Sequence, residues 1–307
     1  MKSIRRKKIG VLMGGISAER EISLKTGNAI LSALLKMGFK AVGIDVKKDI
    51  FERLIKEKID VAFVALHGKF GEDGCVQGIL EFMGIPYTGS GVLGSALSMN
   101  KLYSRIVWEK NGVPVPPYKV IKWGADFSNP FGFPVVIKPV DEGSSIGVSI
   151  VQNEKEMEKA IKEAFRFSEI LLLEKFIKGK EVHVAILNNS VLGSVEIRPS
   201  RKFYDYTAKY TSGMTEYIIP PTIDRMIIRR LEKTCLKAHI LLGLEGVSRI
   251  DAIVKGKNFY LLEANSIPGM TATSLVPKIA NSKGISFEQL VLEILKTASL
   301  KIKRREK

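Results

Sequence analysis

The chain has 307 residues, 45% hydrophobic and 26% charged, the balance of a soluble globular protein with room for two or three domains and a large core. Its formal net charge of +16 would suit nucleic acid, an anionic membrane or an anionic substrate. The basic residues are dispersed, however, and the clusters at 5–8 and 301–305 lack the interleaved aromatics of a stacking platform, which favours a lysine-rich solvated surface. Two distant cysteines, Cys75 and Cys235, exclude a disulfide framework and a clustered zinc site, and are expected to be buried small hydrophobes in a reducing compartment.

Residues 8–13 form a short apolar run closed by Gly14-Gly15, the pattern of a buried parallel strand ending in a tight turn. No signal-peptide core surrounds that run, and no apolar stretch reaches the ~20 residues of a membrane span, so a cytoplasmic protein that engages no membrane is expected. Ser17 is a candidate helix cap, with Glu19 and Glu21 in the first turn of a helix that ends near Gly38. Further strands are predicted at 41–45 and 61–66, with helices at 51–58 and 76–83 and a short strand or loop at Tyr87-Thr88. Strands alternating with helices in this way predict an α/β unit built on a parallel sheet.

A helix is predicted over 98–111, followed by a proline-rich connection at 112–117. Strands at 118–121, 134–138, 148–151 and 171–175, with an amphipathic helix at 154–165, predict a small α+β unit. The remainder holds strands at 181–187, 191–197, 248–254 and 259–263, a long helix at 224–242 and a C-terminal helix at 287–300.

The connection Lys255-Gly256-Lys257-Asn258 reads as a hairpin turn between the last two strands. Glu263 and Asn265 are two apart and point to one side of an extended chain, and Asp251 can face them across the hairpin. Three oxygen donors of this kind suit Mg²⁺, which accepts few protein ligands and leaves positions for phosphate oxygens and water. Arg249 shares the face of Asp251 and can stabilise a developing anion. Lys138 ends a buried strand and precedes Glu142-Gly-Ser-Ser-Ile-Gly147, where small residues allow backbone N–H groups close to a phosphate chain. No GK[ST] closes this loop, so it is not a P-loop, and Gly10-Val-Leu-Met-Gly-Gly lacks the spacing of a dinucleotide fold. The strand Leu171-Leu-Leu-Glu-Lys-Phe-Ile177 could present its end to an adenine edge, with Phe176 beside the base and Glu181 near the ribose. A plain strand-to-loop exit is an equal reading.

Three strings together resemble the D-alanine–D-alanine ligases of the ATP-grasp superfamily. They are Met13-Gly-Gly-Ile-Ser-Ala-Glu-Arg-Glu-Ile-Ser-Leu24, His67-Gly-Lys-Phe-Gly-Glu-Asp-Gly74, and Arg249-Ile-Asp251 with Leu261-Leu-Glu-Ala-Asn-Ser-Ile-Pro-Gly-Met-Thr271. Tyr204-Asp-Tyr-Thr-Ala-Lys-Tyr210 resembles the family's mobile loop. The likeness runs from about Lys8 to Leu300. It implies a three-domain ATP-grasp fold divided at 1–97, 98–180 and 181–307, with a loop at 203–217 closing the site. ATP would phosphorylate one D-alanine, and the amine of a second would attack the acyl phosphate, giving a dipeptide for peptidoglycan precursors.

By the same resemblance, Lys101, Lys138, Ser145 and Lys209 would hold phosphates, and Glu174, Lys175, Phe176 and Glu181 would hold adenosine. Asp251, Glu263 and Asn265 would bind two Mg²⁺ ions, with Mn²⁺ as an alternative. Glu19 would meet the first substrate's ammonium, with Ser144 linking it to Tyr210 and His67 nearby. Arg249 and the Gly269 N–H would serve as oxyanion donors, and Ser274 and Leu275 would hold the second carboxylate. A homodimer is implied, and no nucleic-acid partner. Ser248, Thr207 and Ser266 depart from the usual pattern without removing a proposed ligand. The Lys209-Tyr210 pair favours a dipeptide over a D-alanyl-D-lactate ester. Two other readings stay open here: a sibling ATP-grasp ligase, and a nucleic-acid-binding protein driven by the positive charge.

Overall fold

The computed structural model describes residues 4–124, 127–199 and 215–302. The first sheet is parallel in the order β2-β1-β3, with β1 (Lys8–Gly14) between β2 (Lys40–Val46) and β3 (Val61–Val64). From Ile9 onward β1 is buried on both faces, as a strand covered by helices must be. Gly14 and Gly15 carry φ of 80° and 83°. Their left-handed backbone turns the chain from β1 toward α1 (Arg20–Lys36). Helices α2 (Ile50–Glu57) and α3 (Cys75–Met83) complete this region. Tyr87 adds a parallel bridge to Ala62 and an antiparallel one to Ser299, so the end of the chain is tied to the first sheet.

The predicted helix at 98–111 corresponds to α5 (Lys101–Lys110), and a separate helix that was not expected over 92–97, α4 (Val92–Met99), precedes it. They break at Asn100, whose extended backbone and side-chain carbonyl cap α5 by accepting from Leu102 N–H and Tyr103 N–H.

The second sheet is antiparallel in the order β4-β7-β5-β6, formed by β4 (Tyr118–Lys122), β5 (Val135–Pro139), β6 (Ser149–Val151) and β7 (Ile170–Lys175). Helix α6 (Glu154–Ala164) is capped by Asn153 and buries Met157, Ala160, Ile161 and Ala164, the stripe expected of one helical face. That stripe packs on Ile121, Val135, Ile137 and Leu171 in a core of its own.

The third sheet has the order β10-β9-β8-β11-β12, from β8 (Lys180–Leu187), β9 (Ser190–Pro199), β10 (Thr215–Ile218), β11 (Val247–Lys255) and β12 (Asn258–Asn265). Val182, Val184 and Ile186 face α7 (Arg225–Leu241), through Leu231, Cys235 and Ala238. On the other face, Ala185, Val195 and Ile197 share a core with α8 (Leu275–Ser282), α9 (Phe287–Leu295) and the first sheet. The first and third regions are thereby fused by apolar contact, and α9 ends at Leu295 rather than near 300. Cys235 is buried as expected, but Cys75 is exposed at the first turn of α3. No helix among the described residues is long and apolar enough to cross a membrane.

His239 on α7 is fully buried. Its Nδ1 lies 2.7 Å from Ser248 Oγ and its Nε2 3.0 Å from Asn189 Oδ1. Burial pushes this imidazole down to about 4, and does the same to His67. Both rings are neutral when folded, whereas the unfolded chain takes up protons below the ordinary histidine value of 6.5. Their contribution to stability is therefore full above pH 6.5 and is lost as pH falls toward 4, by about 3 kcal/mol per ring. Urea midpoints should fall across that interval, and His239→Gln should flatten the fall; an unchanged slope would count against a buried neutral His239.

Candidate active site

The three regions meet around a cavity of about 590 Å³. Of the residues singled out in the sequence, Glu19, His67, Lys101, Ser144, Arg249, Glu263, Asn265, Gly269, Ser274 and Leu275 line it. Lys138, Asp251 and Glu174 lie buried behind the wall. Lys175 is exposed at the end of β7, next to the half-buried Phe176, and their N–H groups donate to the Pro117 and Pro134 carbonyls. Lys209 and Tyr210 lie outside the described residues.

Glu19 stands at the N-cap of α1, where the helix end favours negative charge. Ser17 does not cap the helix with its side chain. Its Oγ donates to the His67 carbonyl at 2.7 Å and accepts from the Glu19 N–H at 3.2 Å, pinning the turn to the next loop. The Glu19 carboxylate is enclosed by glycines. A Cβ at Gly68 or at Gly143 would stand 2.6 Å from its Oε2. Ser144 Oγ donates to Glu19 Oε1, joining the serine loop to the first helix. Ser144 and Ser145 adopt φ of 49° and 61°, a left-handed pair that is uncommon for residues with a Cβ. Lys69 secures the base of that loop, 2.6 Å from Glu142 and 3.5 Å from Asp141.

Glu72 escaped residue-level reading. It is buried, its Oε2 accepts from Gly68 N–H at 2.7 Å, and both burial and the nearby Glu19 charge raise its carboxyl well above the usual range. His67 lies beside it, with Nε2 3.0 Å from Thr26 Oγ1. The glutamate lies in the glycine-rich string quoted above, but two consecutive acids in a loop read as solvated.

One side of the cavity is backed by buried lysines. Lys101 Nζ donates to the Glu142 carbonyl at 2.5 Å and lies 3.5 Å from Glu263. Lys138 Nζ lies 2.8 Å from Glu174, which also pairs with the fully buried Arg105 at 2.8 Å. Burial and the adjacent Arg105 charge bring the Lys138 ammonium down to about 8. Arg105 was not anticipated. A charged residue on an amphipathic helix reads as surface, and only the partner strand reveals the buried pair.

The hairpin register sets Asp251 opposite Glu263 and Arg249 opposite Asn265, with an irregularity between Asp251 and Ala252. The acidic and amide side chains of the two strands thus share one face. Arg249 clamps Asp251 through Nε and an Nη at 2.6 and 2.8 Å. Among the described residues no three His, Cys, Asp or Glu side chains converge as a metal cluster. The oxygen set is instead two carboxylates and one amide. Asn265 Oδ1 is buried and makes no hydrogen bond among the described residues, which fits an oxygen reserved for a hard cation.

Residues 107–296 match the family described as "D-ala D-ala ligase C-terminus" and residues 50–90 the one described as "D-ala D-ala ligase N-terminus". The chain is 50% identical to a D-alanine–D-alanine ligase of Citrifermentans bemidjiense, over 98% of this chain and 99% of that one. It is 52% identical to one of Geobacter sulfurreducens, over 96% of this chain and 95% of the relative. The crystal structure of the Bacillus anthracis ligase complexed with ATP superposes with a TM-score of 0.84 at 32% identity, covering 95% of this chain and 97% of that chain. The chain belongs to the D-alanine–D-alanine ligase family and has its ATP-grasp fold.

Proposed function

We propose that the protein joins two D-alanine molecules while ATP is converted to ADP and phosphate, supplying a dipeptide for cell-wall precursors in the cytoplasm, and that it works as a homodimer of three-domain subunits. The observation that carries this reading is the contact between Glu19 and Ser144, which joins the N-terminal helix to the serine loop on a cavity that the hairpin also lines.

Lys101 and Lys138 would hold the ATP phosphates, with Ser145 and Lys209 joining them. Glu181 would take the ribose, while Lys175 and Phe176 flank the base. Because its carboxylate is given to Arg105 and Lys138, Glu174 would meet the adenine through its backbone. Asp251, Glu263 and Asn265 would hold Mg²⁺, which when bound neutralises phosphate charge and favours phosphoryl transfer to a carboxylate. Glu19 fixes the first D-alanine by its ammonium, in a pocket closed by Gly68 and Gly143. His67, neutral because it is buried, can accept or donate a hydrogen bond there but adds no charge. Arg249 and the Gly269 N–H receive the oxyanion of the tetrahedral intermediate. Ser274 and Leu275, at the start of α8, orient the second D-alanine by its carboxylate. An acyl phosphate hydrolyses readily, so exclusion of water by the 203–217 loop, with Tyr210 linked to Ser144, completes the reading.

The test is phosphate release from ATP and Mg²⁺ with D-alanine, and product mass with D-alanine plus D-lactate. The expected result is phosphate release that depends on D-alanine, with the dipeptide as main product. Release that needs a different amino acid, or ester as the main product at neutral pH, would overturn the substrate assignment.

A further inference from the structure

Strand β8 alternates strictly. Val182, Val184 and Ile186 enter the α7 core, while Glu181, His183 and Ala185 face the other way. On that second face the neighbours Ala185 and Val195 are apolar, so packing alone does not call for an imidazole. His183 is nevertheless 1% exposed. A buried imidazole is costly unless its nitrogens find polar partners. Its partners are two carboxylates with different assignments. Nε2 lies in hydrogen-bond geometry 2.7 Å from Glu181 Oε1, whereas Nδ1 lies 3.2 Å from Asp251 Oδ1, within ion-pair distance but not aligned as a hydrogen bond. The second contact follows from register, since β8 and β11 pair antiparallel with Asp251 directly opposite His183. On its far side Asp251 is held by Arg249. A polar line, Glu181–His183–Asp251–Arg249, therefore crosses from β8 to β11 in the wall of the cavity, which His183 and Arg249 themselves line.

We propose that His183 is a positioning residue that couples nucleoside binding to metal binding by setting the side-chain orientations of Glu181 and Asp251 together. The inference rests on the reading of Glu181 as the ribose ligand and Asp251 as a metal ligand. Its physical content is simple. The imidazole is rigid and planar, so turning it to follow Glu181 toward a ribose hydroxyl moves the nitrogen that faces Asp251. Coupling of this kind is reciprocal, and a cation bound at Asp251 must strengthen nucleoside binding by the factor with which the nucleoside strengthens the cation.

Adenosine is the discriminating probe, because without phosphates it has no direct contact with the metal. Calorimetric titration of the full chain with adenosine, with and without saturating Mg²⁺, should show a metal effect of about fivefold or more on affinity. His183→Gln places its amide near the Nε2 position and should keep metal-free adenosine affinity while reducing the Mg²⁺ effect to less than about twofold. His183→Asn places its amide near Nδ1 and should lose metal-free adenosine affinity instead. A purely structural role would move both quantities together, along with the melting temperature. Equal behaviour of the two variants, or no Mg²⁺ effect in the parent chain, would overturn the proposal. Two controls separate this from the underlying site reading. If Glu181→Gln leaves adenosine binding intact, or Asp251→Asn leaves Mg²⁺-dependent binding of a non-hydrolysable ATP analogue intact, the site reading fails. If both controls lose binding and His183→Gln keeps the coupling, only the role of His183 fails.

Discussion

Glu263→Gln should lower D-alanine-dependent phosphate release by about a thousandfold, roughly 4 kcal/mol of barrier, with almost no cost to folding. The substitution keeps shape and hydrogen-bonding capacity and removes one negative charge. Glu263, two residues before the end of β12, stands directly opposite Asp251 and lines the cavity, its side chain 31% exposed and 3.5 Å from Lys101. Lys101 is buried but keeps the Glu142 carbonyl as a hydrogen-bond partner, and at 3.5 Å its pair with the partly exposed Glu263 should contribute within about 1 kcal/mol, so the urea midpoint should hardly move. The functional cost is large because the hairpin offers only two carboxylates, and neutralising one halves the charge available to a divalent cation. Turnover is measured as phosphate release at saturating ATP, over a range of Mg²⁺. Partial recovery at high Mg²⁺ would support a ligand role, whereas near-normal turnover at low Mg²⁺ would show that the hairpin is not the metal clamp.

Much of that hairpin was legible in the residues. A glycine connection between two apolar strands, with an acid and an amide two apart on one and an acid on the other, specifies facing donors, and the observed register places Asp251 against Glu263. Other features were hidden for identifiable reasons. Helix α8 was unread because Pro277 looks like a breaker, although a proline in the first turn of a helix displaces no hydrogen bond. The break at Asn100 was masked by apolar periodicity running through Met99 into α5. Arg105 and Glu72 were missed for a common reason. A buried charge is recognisable only by its surroundings: Glu174, the partner of Arg105, comes from another element, and Glu72 is held by the Gly68 N–H of its own loop only once that loop is folded inward. Cys75 shows the reverse error, since residue type alone cannot distinguish the exposed first turn of α3 from a core position. Strand and helix order, set by local patterning, was therefore readable from the chain, while the ion pairs that bind one element to another were not.

Gly143→Ala carries the second large expectation, a loss of about 100-fold in kcat/KM for D-alanine from a single added methyl group. The Glu19 carboxylate is seated against two glycines. A Cβ at 143 would sit 2.6 Å from Oε2, and one added at Gly68, where φ is 71°, would stand equally close. Carbon and oxygen do not approach that closely, so the carboxylate must swing away, and its bond from Ser144 Oγ must lengthen or break. Displacing a substrate-fixing group by about 1 Å can cost on the order of 100-fold, close to 3 kcal/mol of transition-state stabilisation. Gly143 lies in a half-buried loop with ordinary φ, so overall stability should fall by less than about 1 kcal/mol. The double variant Gly143→Ala with Glu19→Asp supplies the decisive comparison. A shorter acid withdraws the carboxylate from the new methyl group, and it should recover part of the lost kcat/KM even though Glu19→Asp alone is harmful. Were the single variant to keep normal KM and kcat, the enclosed carboxylate would not be the group that fixes the first D-alanine. Rescue by the shorter acid would instead trace the whole effect to the position of one carboxylate between two glycines.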